Sequence, residues 1–391
     1  MRIINTDDVE QIKKIMRKIG ADKRGIEIMA PKGILRLIKL SNLNCFSANI
    51  LKQEMLAIGG DVCLSRGTLI GKSRLTDCLI MGTLRQYERL LNKLNYQPRV
   101  LGLQGLSEKI TSGLKNYQFP TSAKTQIMAV VNLTPDSFSG DGLLAKGASI
   151  QQAIDYVQEL VAQGANIIDI GGESSRPGAK PVSKKEEIKR TIPVIKKLSK
   201  RIKVPISVDT YKPEVARQAL DSGASIVNDI TGLRNPRMIE VIAKSKAHVI
   251  IMHMKGTPRN MQKNPQYESL MDEIIEYLTA AIKRAQDSGI DKKRIIVDPG
   301  IGFGKTVEHN LEILRNLKEL KILSCPILVG PSRKSFIGKI LELPPQERLS
   351  GTLASLVIAV MNGANIVRVH DVKFAAQALR ITEAIKNGYS G

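Results

Sequence analysis

From Thr125 onward, short β-branched runs that end in polar residues alternate with longer stretches whose apolar residues recur at helical spacing. The short runs are QIMAVVNLT (126–134), NIIDIGGES (166–174), PISVDT (205–210), SIVNDITG (225–232), HVIIMHM (248–254), RIIVDPG (294–300), PILVGPS (326–332) and NIVRVHD (365–371). Amphipathic helices such as 149–164 and 267–289 lie between them, and Gly164, Gly223, Gly289 and Gly363 mark helix ends where a left-handed residue is expected. Eight strand–helix units in about 265 residues predict an α/β fold, a (β/α)8 TIM barrel over 126–391. A doubly wound open sheet alternates in the same way. It fits less well, because no GxGxxG follows the first run and nearly every strand ends in polar groups.

The first 115 residues follow another pattern. Helical periodicity over 7–19, 47–58 and 84–95, with apolar runs at 26–29 and 78–81 suited to strands, predicts a small α+β domain over 1–115. A linker is expected over 116–125, overlapping the Gly- and Pro-bearing stretch 112–124. The stretch GGDVCLSRGTLIGKS (59–73) lacks the spacing of a P-loop and reads as a turn-rich hairpin. No function is legible in this region.

Composition narrows the class. The chain of 391 residues has no apolar run of about 18 residues, so no membrane span is expected. Its start carries acids early and lacks an apolar signal core. Cys45, Cys63, Cys78 and Cys325 are far apart, so neither a disulfide framework nor a zinc site is expected, and a reducing cytoplasm fits. The net charge of +22 raises nucleic acid as a partner. The excess is not concentrated, since 1–125 hold 21 basic and 10 acidic residues, half of the surplus. With 4% aromatics and no Trp, base-stacking platforms are scarce, so no nucleic acid is expected. A lysine-rich surface with some pull on anionic substrates remains.

Asn132, Asp209, Asn228, Asp229, His253, Asp298, Lys334, Arg368 and His370 all fall at or just after predicted strand ends. In a barrel these ends share one mouth, where polar side chains rarely serve packing. A single such residue is commonly a helix cap or a structural hydrogen bonder; nine on one rim point to a site. Asp209, Asn228, Asp298 and Lys334 suit a flat ring edged with N–H donors and a carbonyl. Asn132, Arg368 and His370 come from the first and last strands, neighbours in a closed barrel. Arg and His pair with phosphate oxygens, and an Asn oxygen is a hard ligand for Mg²⁺. Two Gly- or Pro-bearing loops, 137–144 with Phe138 and Asp141 and 173–183 with Arg176, sit where a barrel closes over substrate.

NLTPDSFS (132–139), GGESSRPGA (171–179), SVDTYKPEVA (207–216), VNDITG (227–232), MHMKGTP (252–258), VDPGIGFGKT (297–306), SRKSFIG (332–338) and VRVHDV (367–372) resemble, in order, the serial motifs of dihydropteroate synthases. The resemblance covers about 126–391. It implies displacement of pyrophosphate from 6-hydroxymethyl-7,8-dihydropterin pyrophosphate by the amine of 4-aminobenzoate, with Mg²⁺. It further implies a pterin pocket of Asp209, Asn228, Met252, Asp298, Phe303 and Lys334, and a diphosphate site of Asn132, Arg368 and His370, with Asn132 on the metal. Catalytic roles would fall to Asp209, Asp298, Lys334, Arg368 and His370. Phe138, Asp141, Ser175, Arg176 and Pro177 would belong to closing loops, and Ser335 would lie near the aminobenzoate carboxylate. A homodimer through barrel helices is implied as well. The first loop departs from the family pattern in placing Gly140 before Asp141; Ser175 stands where Thr is frequent, and Pro331 where Thr or Val is usual. Three alternatives stay open: a pterin-dependent methyltransferase acting with a corrinoid protein, a condensing enzyme using another aryl amine, and a non-catalytic RNA- or pterin-binding protein.

Overall fold

Two of the barrel helices hand over to a strand in the same way. After Ile150–Ala162 and after Leu349–Met361 the chain turns at Gly164 (φ +109°) and Gly363 (φ +102°), a backbone shape that side chains resist. A buried alanine follows, Ala165 or Ala364, and then an asparagine at the foot of a strand. Asn166 accepts the N–H of Ile127 on its side-chain oxygen at 2.8 Å and donates its own N–H to Ile127 O at 2.8 Å. Asn365 makes the same pair of bonds with Ile327, both at 2.8 Å. Each asparagine thus extends a parallel ladder below its first residue.

The computed structural model describes residues 1–96, 103–118, 124–134, 149–174 and 181–388. The chain divides into two compact units, Met1–Lys115 and Asn116–Gly391. The first holds an antiparallel sheet of β1 (Leu35–Asn44), β2 (Asp61–Leu64) and β3 (Leu75–Thr83), in the order β1-β3-β2. Helices Cys45–Leu56 and Leu84–Asn95 pack with it around Leu51, Met55, Val62, Ile80, Tyr87 and Leu90. The helix Leu84–Asn95 begins with a reciprocal capping box between Thr83 and Gln86.

Three expectations for this region change. Residues 26–29 are helical, within Lys23–Met29, where a strand was expected. A four-residue apolar run does not discriminate between the two, and Asp22, accepting the Gly25 N–H at 2.9 Å, starts a helix there. Strand β1 was not anticipated; its burial alternates, with Ile38 and Leu40 turned to the core, but the exposed Leu35 and Leu37 and the half-buried Arg36 hide that alternation in the residue types. The expected linker begins inside a helix, Leu103–Gln118, in which Leu103, Leu106 and Ile110 are buried. The stretch 59–73 does join antiparallel strands, but through a helical turn, Arg66–Leu69.

The second unit is an eight-stranded parallel sheet: β4 (Gln126–Asn132), β5 (Ile167–Gly171), β6 (Ile206–Asp209), β7 (Ile226–Asp229), β8 (His248–Met252), β9 (Ile295–Asp298), β10 (Leu328–Val329) and β11 (Ile366–Val369). The order β10-β11-β4-β5-β6-β7-β8-β9 closes through a parallel bridge between Val297 and Ile327, giving the TIM barrel. Met128, Ile167, Ile226, Ile250, Ile296, Leu328 and Ile366 fill the barrel's lower interior. Because a strand repeats every two residues, the next inward positions toward the mouth are Asp169, Asn228, Met252, Asp298 and Arg368. The outward positions, among them Ala129, Val131, Ile168, Val208 and Val249, pack against the helices. Among the described residues, no helix is long and apolar enough to cross a membrane.

Because Asn365 satisfies a buried N–H where β10 is only two residues long, Asn365→Ala is expected to destabilise the barrel by about 1–3 kcal/mol. Urea unfolding of the variant would read this, and an unchanged midpoint would contradict it.

Candidate active site

The centre of the mouth is a guanidinium shared by two carboxylates. Arg368 on β11 donates from Nε to Asp169 Oδ2 at 2.7 Å and from Nη2 to Asp209 Oδ2 at 2.7 Å. Asn228 on β7 donates to the same Asp169 oxygen at 3.1 Å. Parallel pairing puts Asn132, Gly171, Asp209 and Asn228 on one rung of the barrel. Gly171 keeps that rung open. A methyl group there would lie 3.6 Å from Asp209 Cβ and 3.7 Å from Asn132 Oδ1. Burial pushes the Asp209 carboxyl up to about 7, with Arg368 pulling it down and Asp169 opposing a second negative charge. The Arg368 guanidinium stays charged, held by its two carboxylate partners against the cost of burial.

Asp298, at the end of β9, is buried and accepts the Gly300 N–H at 2.7 Å. Burial raises it to about 6, against the pull of that N–H and of Lys334, Lys305 and Arg368. The Lys334 ammonium lies 4.3 Å from the centre of the Phe303 ring. Phe303 packs with Ile230, Met252, Met254 and Met261 into an apolar cluster beside these charges. One side of the mouth thus offers a flat apolar wall, two carboxylates, an amide and an ammonium.

His370 directly follows β11, and Lys334 lies in the loop after the neighbouring β10, at the start of helix Ser335–Leu341. Ser332 Oγ lies 2.9 Å from His370 Nδ1 and accepts the His370 backbone N–H at 3.2 Å. In the neutral ring, a serine proton on Nδ1 leaves Nε2–H as the donor. At the edge of the mouth, Lys212 bridges Glu173 and the buried Glu187, and Tyr211 donates to Glu173 at 2.8 Å.

Of the rim residues predicted from sequence, Asn132, Asp209, Asn228, Asp298, Lys334, Arg368 and His370 sit at C-terminal strand ends or in the loops directly after them, and Met252 and Phe303 lie beside them. Two serve the scaffold. Asp229 accepts the N–H groups of Thr231 and Leu233 at 2.8 and 3.1 Å and so closes a turn. His253 is buried, 3.0 Å from the Lys305 ammonium and edge-on to Tyr277, and burial next to Lys305 pushes it down to about 2, a neutral ring. Ser335 is exposed at the start of helix Ser335–Leu341. Phe138, Asp141, Ser175, Arg176 and Pro177 lie outside the described residues. Sequence reasoning missed Asp169, whose signal was a lone carboxylate inside the apolar run IIDIG. It also missed Lys305, a buried lysine pushed down to about 7 by desolvation, and Ser332.

The family model described as pterin binding enzyme matches residues 128–370. A dihydropteroate synthase of Synechocystis is 48% identical over 269 residues, spanning 68% of this chain and 92% of the relative. A probable bifunctional folylpolyglutamate synthase/dihydropteroate synthase of Halobacterium salinarum is 36% identical over 389 residues. That match spans 98% of this chain, both units included, and 47% of the relative. The crystal structure of Yersinia pestis dihydropteroate synthase with a sulfonamide drug superposes with a TM-score of 0.66 at 44% identity, over 68% of this chain and 96% of that one. With its motifs set around one barrel mouth and matches of this length and identity, the chain belongs to the dihydropteroate synthases, within the pterin-binding enzyme family.

Proposed function

We propose that the protein forms 7,8-dihydropteroate, in folate biosynthesis, by joining 6-hydroxymethyl-7,8-dihydropterin pyrophosphate to the amine of 4-aminobenzoate, with release of pyrophosphate. The observation that carries this reading is the adjacency of two unlike subsites around Arg368. On one side Asp209, Asn228, Asp298 and Lys334 meet the edge of a pterin, with Met252 and Phe303 against its face. Asp298 has one oxygen on the Gly300 N–H and a second with no partner among the described residues, suited to a ring N–H. On the other side Arg368 uses two of its five N–H donors on Asp169 and Asp209, so its remaining donors can meet phosphate oxygens together with His370.

The chemistry follows from this layout. The bond from the exocyclic carbon to the diphosphate oxygen breaks, and the electron pair leaves with the diphosphate, whose charge Arg368 and His370 offset. The carbon becomes cationic and delocalised into the dihydropterin, where the carboxylates of Asp209 and Asp298 stabilise it. The arylamine nitrogen then bonds to that carbon and loses a proton. Ser335 at the mouth would meet the aminobenzoate carboxylate. The loop residues Phe138, Asp141, Ser175, Arg176 and Pro177 would exclude water.

The donor set fits Mg²⁺ bound mainly through substrate. Among the described residues no group of three His, Cys, Asp or Glu could hold a metal, and Asn132 Oδ1 is a hard oxygen on the open rung. Mg²⁺ ordinarily keeps several waters and takes phosphate oxygens, so one protein oxygen suffices. Bound there, it would neutralise diphosphate charge.

A second copy of the chain is the proposed partner. Helices Leu349–Met361 and Val372–Asn387 expose Ile358, Met361, Phe374, Ile381 and Ile385, the last 73% accessible. Apolar side chains gathered on neighbouring helices favour association. The four thiols are free, as suits work in the cytoplasm.

Pyrophosphate release from the pterin pyrophosphate is expected to depend on 4-aminobenzoate, with the mass of dihydropteroate in the product; release without the amine, or a different product mass, would reject the reading. Asp298→Asn and Lys334→Ala should each weaken pterin binding by about 10–100-fold. Because the two raised carboxyls must be ionised to accept N–H groups, pterin affinity should be level above about pH 8 and fall as pH drops through 7 and 6. Calorimetric titration should show a drop steeper than one proton below pH 6 in the parent and no steeper than one in Asp298→Asn. Equal slopes would remove Asp298 from the pocket. Sedimentation of Ile385→Glu should give a monomer where the parent is a dimer.

A further inference from the structure

Asp371 occupies the cap position of helix Val372–Asn387, where a carboxylate ordinarily accepts the first free N–H groups of the helix. It makes no such bond. Both of its oxygens go to Arg333, 38 residues earlier, with Nε at 3.0 Å from Oδ2 and Nη2 at 2.6 Å from Oδ1. The two side chains are 16% and 19% exposed, so the fork is largely shielded from water. A residue placed to cap its own helix is instead spent on a partner on the neighbouring loop.

Arg333 is held on every side. Its backbone has φ +57°, a left-handed conformation unfavourable for an arginine. Its N–H donates to the hydroxyl of the buried Thr352 at 3.0 Å, and its carbonyl accepts from Arg348 Nη1 at 3.0 Å. Arg348 Nη1 also reaches the Lys334 carbonyl, at 3.4 Å. Arg333 is therefore the residue through which the loop after β10 is fixed, and Asp371 is the residue directly after His370.

We infer that Arg333 and Asp371 are positioning residues, a tie that sets the distance between Lys334 and His370 and so aligns the pterin subsite with the diphosphate subsite. This rests on the assignment of those subsites made above. The chain order supports it: Ser332, Arg333 and Lys334 are consecutive, as are His370 and Asp371. Ser332 meets His370 and Arg333 meets Asp371, so the two segments are stitched at two successive positions. Lys334 and His370 then extend from a single braced unit. A pterin alone needs only Lys334 and its neighbours. A pterin pyrophosphate needs Lys334 and His370 in register, and a small displacement of one against the other is costly to a ligand that spans both.

The test compares two ligands on the full chain: 6-hydroxymethyl-7,8-dihydropterin, which has no phosphate, and its pyrophosphate. Asp371→Asn and Arg333→Lys are each expected to leave the affinity for the first within about twofold of the parent and to lower the affinity for the second by about tenfold or more. Asp371→Glu, which keeps the charge and both oxygens, should recover much of the loss. A purely structural role would lower the two affinities together or shift only the unfolding temperature; either result, or an unchanged ratio of affinities, overturns the inference. A parent protein with no preference for the pyrophosphate would overturn the subsite reading itself, and the inference with it.

Discussion

The site is organised by one cation shared between two carboxylates. The Arg368 guanidinium lies between Asp169 and Asp209, and taking three charges out of water is unfavourable unless each is hydrogen bonded in good geometry. That requirement fixes β5, β6 and β11 relative to one another at the mouth. It also explains why Asn228 turns its amide toward Asp169, since the shared oxygen gains a further donor. Within this triad two negative charges face one positive charge, and Asp298 adds a third carboxylate beside Lys334 and Lys305. A site of this kind is poised for a ligand that carries N–H donors at one end and negative charge at the other.

The same strands build the core and the chemistry, two residues apart. Ile167, Ile226, Ile250, Ile296 and Ile366 face inward at one level, and Asp169, Asn228, Met252, Asp298 and Arg368 face inward at the next. The lower layer gains from apolar burial, while the upper carries a desolvation cost that the Arg368–Asp169 and Asn228–Asp169 bonds offset in part, Asp169 Oδ1 having no hydrogen-bond partner among the described residues. The loops complete the arrangement with bonds that serve no packing purpose. Asp371 leaves its own helix uncapped to hold Arg333, and Ser332 holds His370.

Much of this was legible in the sequence because a β-branched run ending in Asp, Asn or His marks both a strand and the rim it ends on. All eight barrel strands lie where such runs predicted them. Asp169 escaped notice because one carboxylate inside an apolar run reads as core, and only the barrel's closure brings it to Arg368, 199 residues away. Asp229 and His253 carry the same rim signature as the site residues but are absorbed by partners of their own, an adjacent turn and, 52 residues away, Lys305, that a strand pattern does not reveal. The Arg333–Asp371 tie joins two loops across neighbouring strands, so no local spacing announces it. In the first unit, short apolar runs were ambiguous between helix and strand, as at 26–29, and in β1 the exposed Leu35 and Leu37 and the half-buried Arg36 masked a period-two burial. That unit has its own core, and the halobacterial relative matches the chain across it, whereas the Synechocystis match spans only 68% of the chain.

The most direct test is a crystal structure of the protein with pterin pyrophosphate and Mg²⁺. The pterin edge is expected on Asp298, Asn228 and Asp209 with Lys334 beside it, and the diphosphate on Arg368, His370 and the Asn132 side. A pterin lodged elsewhere in the barrel, or a diphosphate that leaves Arg368 and His370 untouched, would contradict this placement.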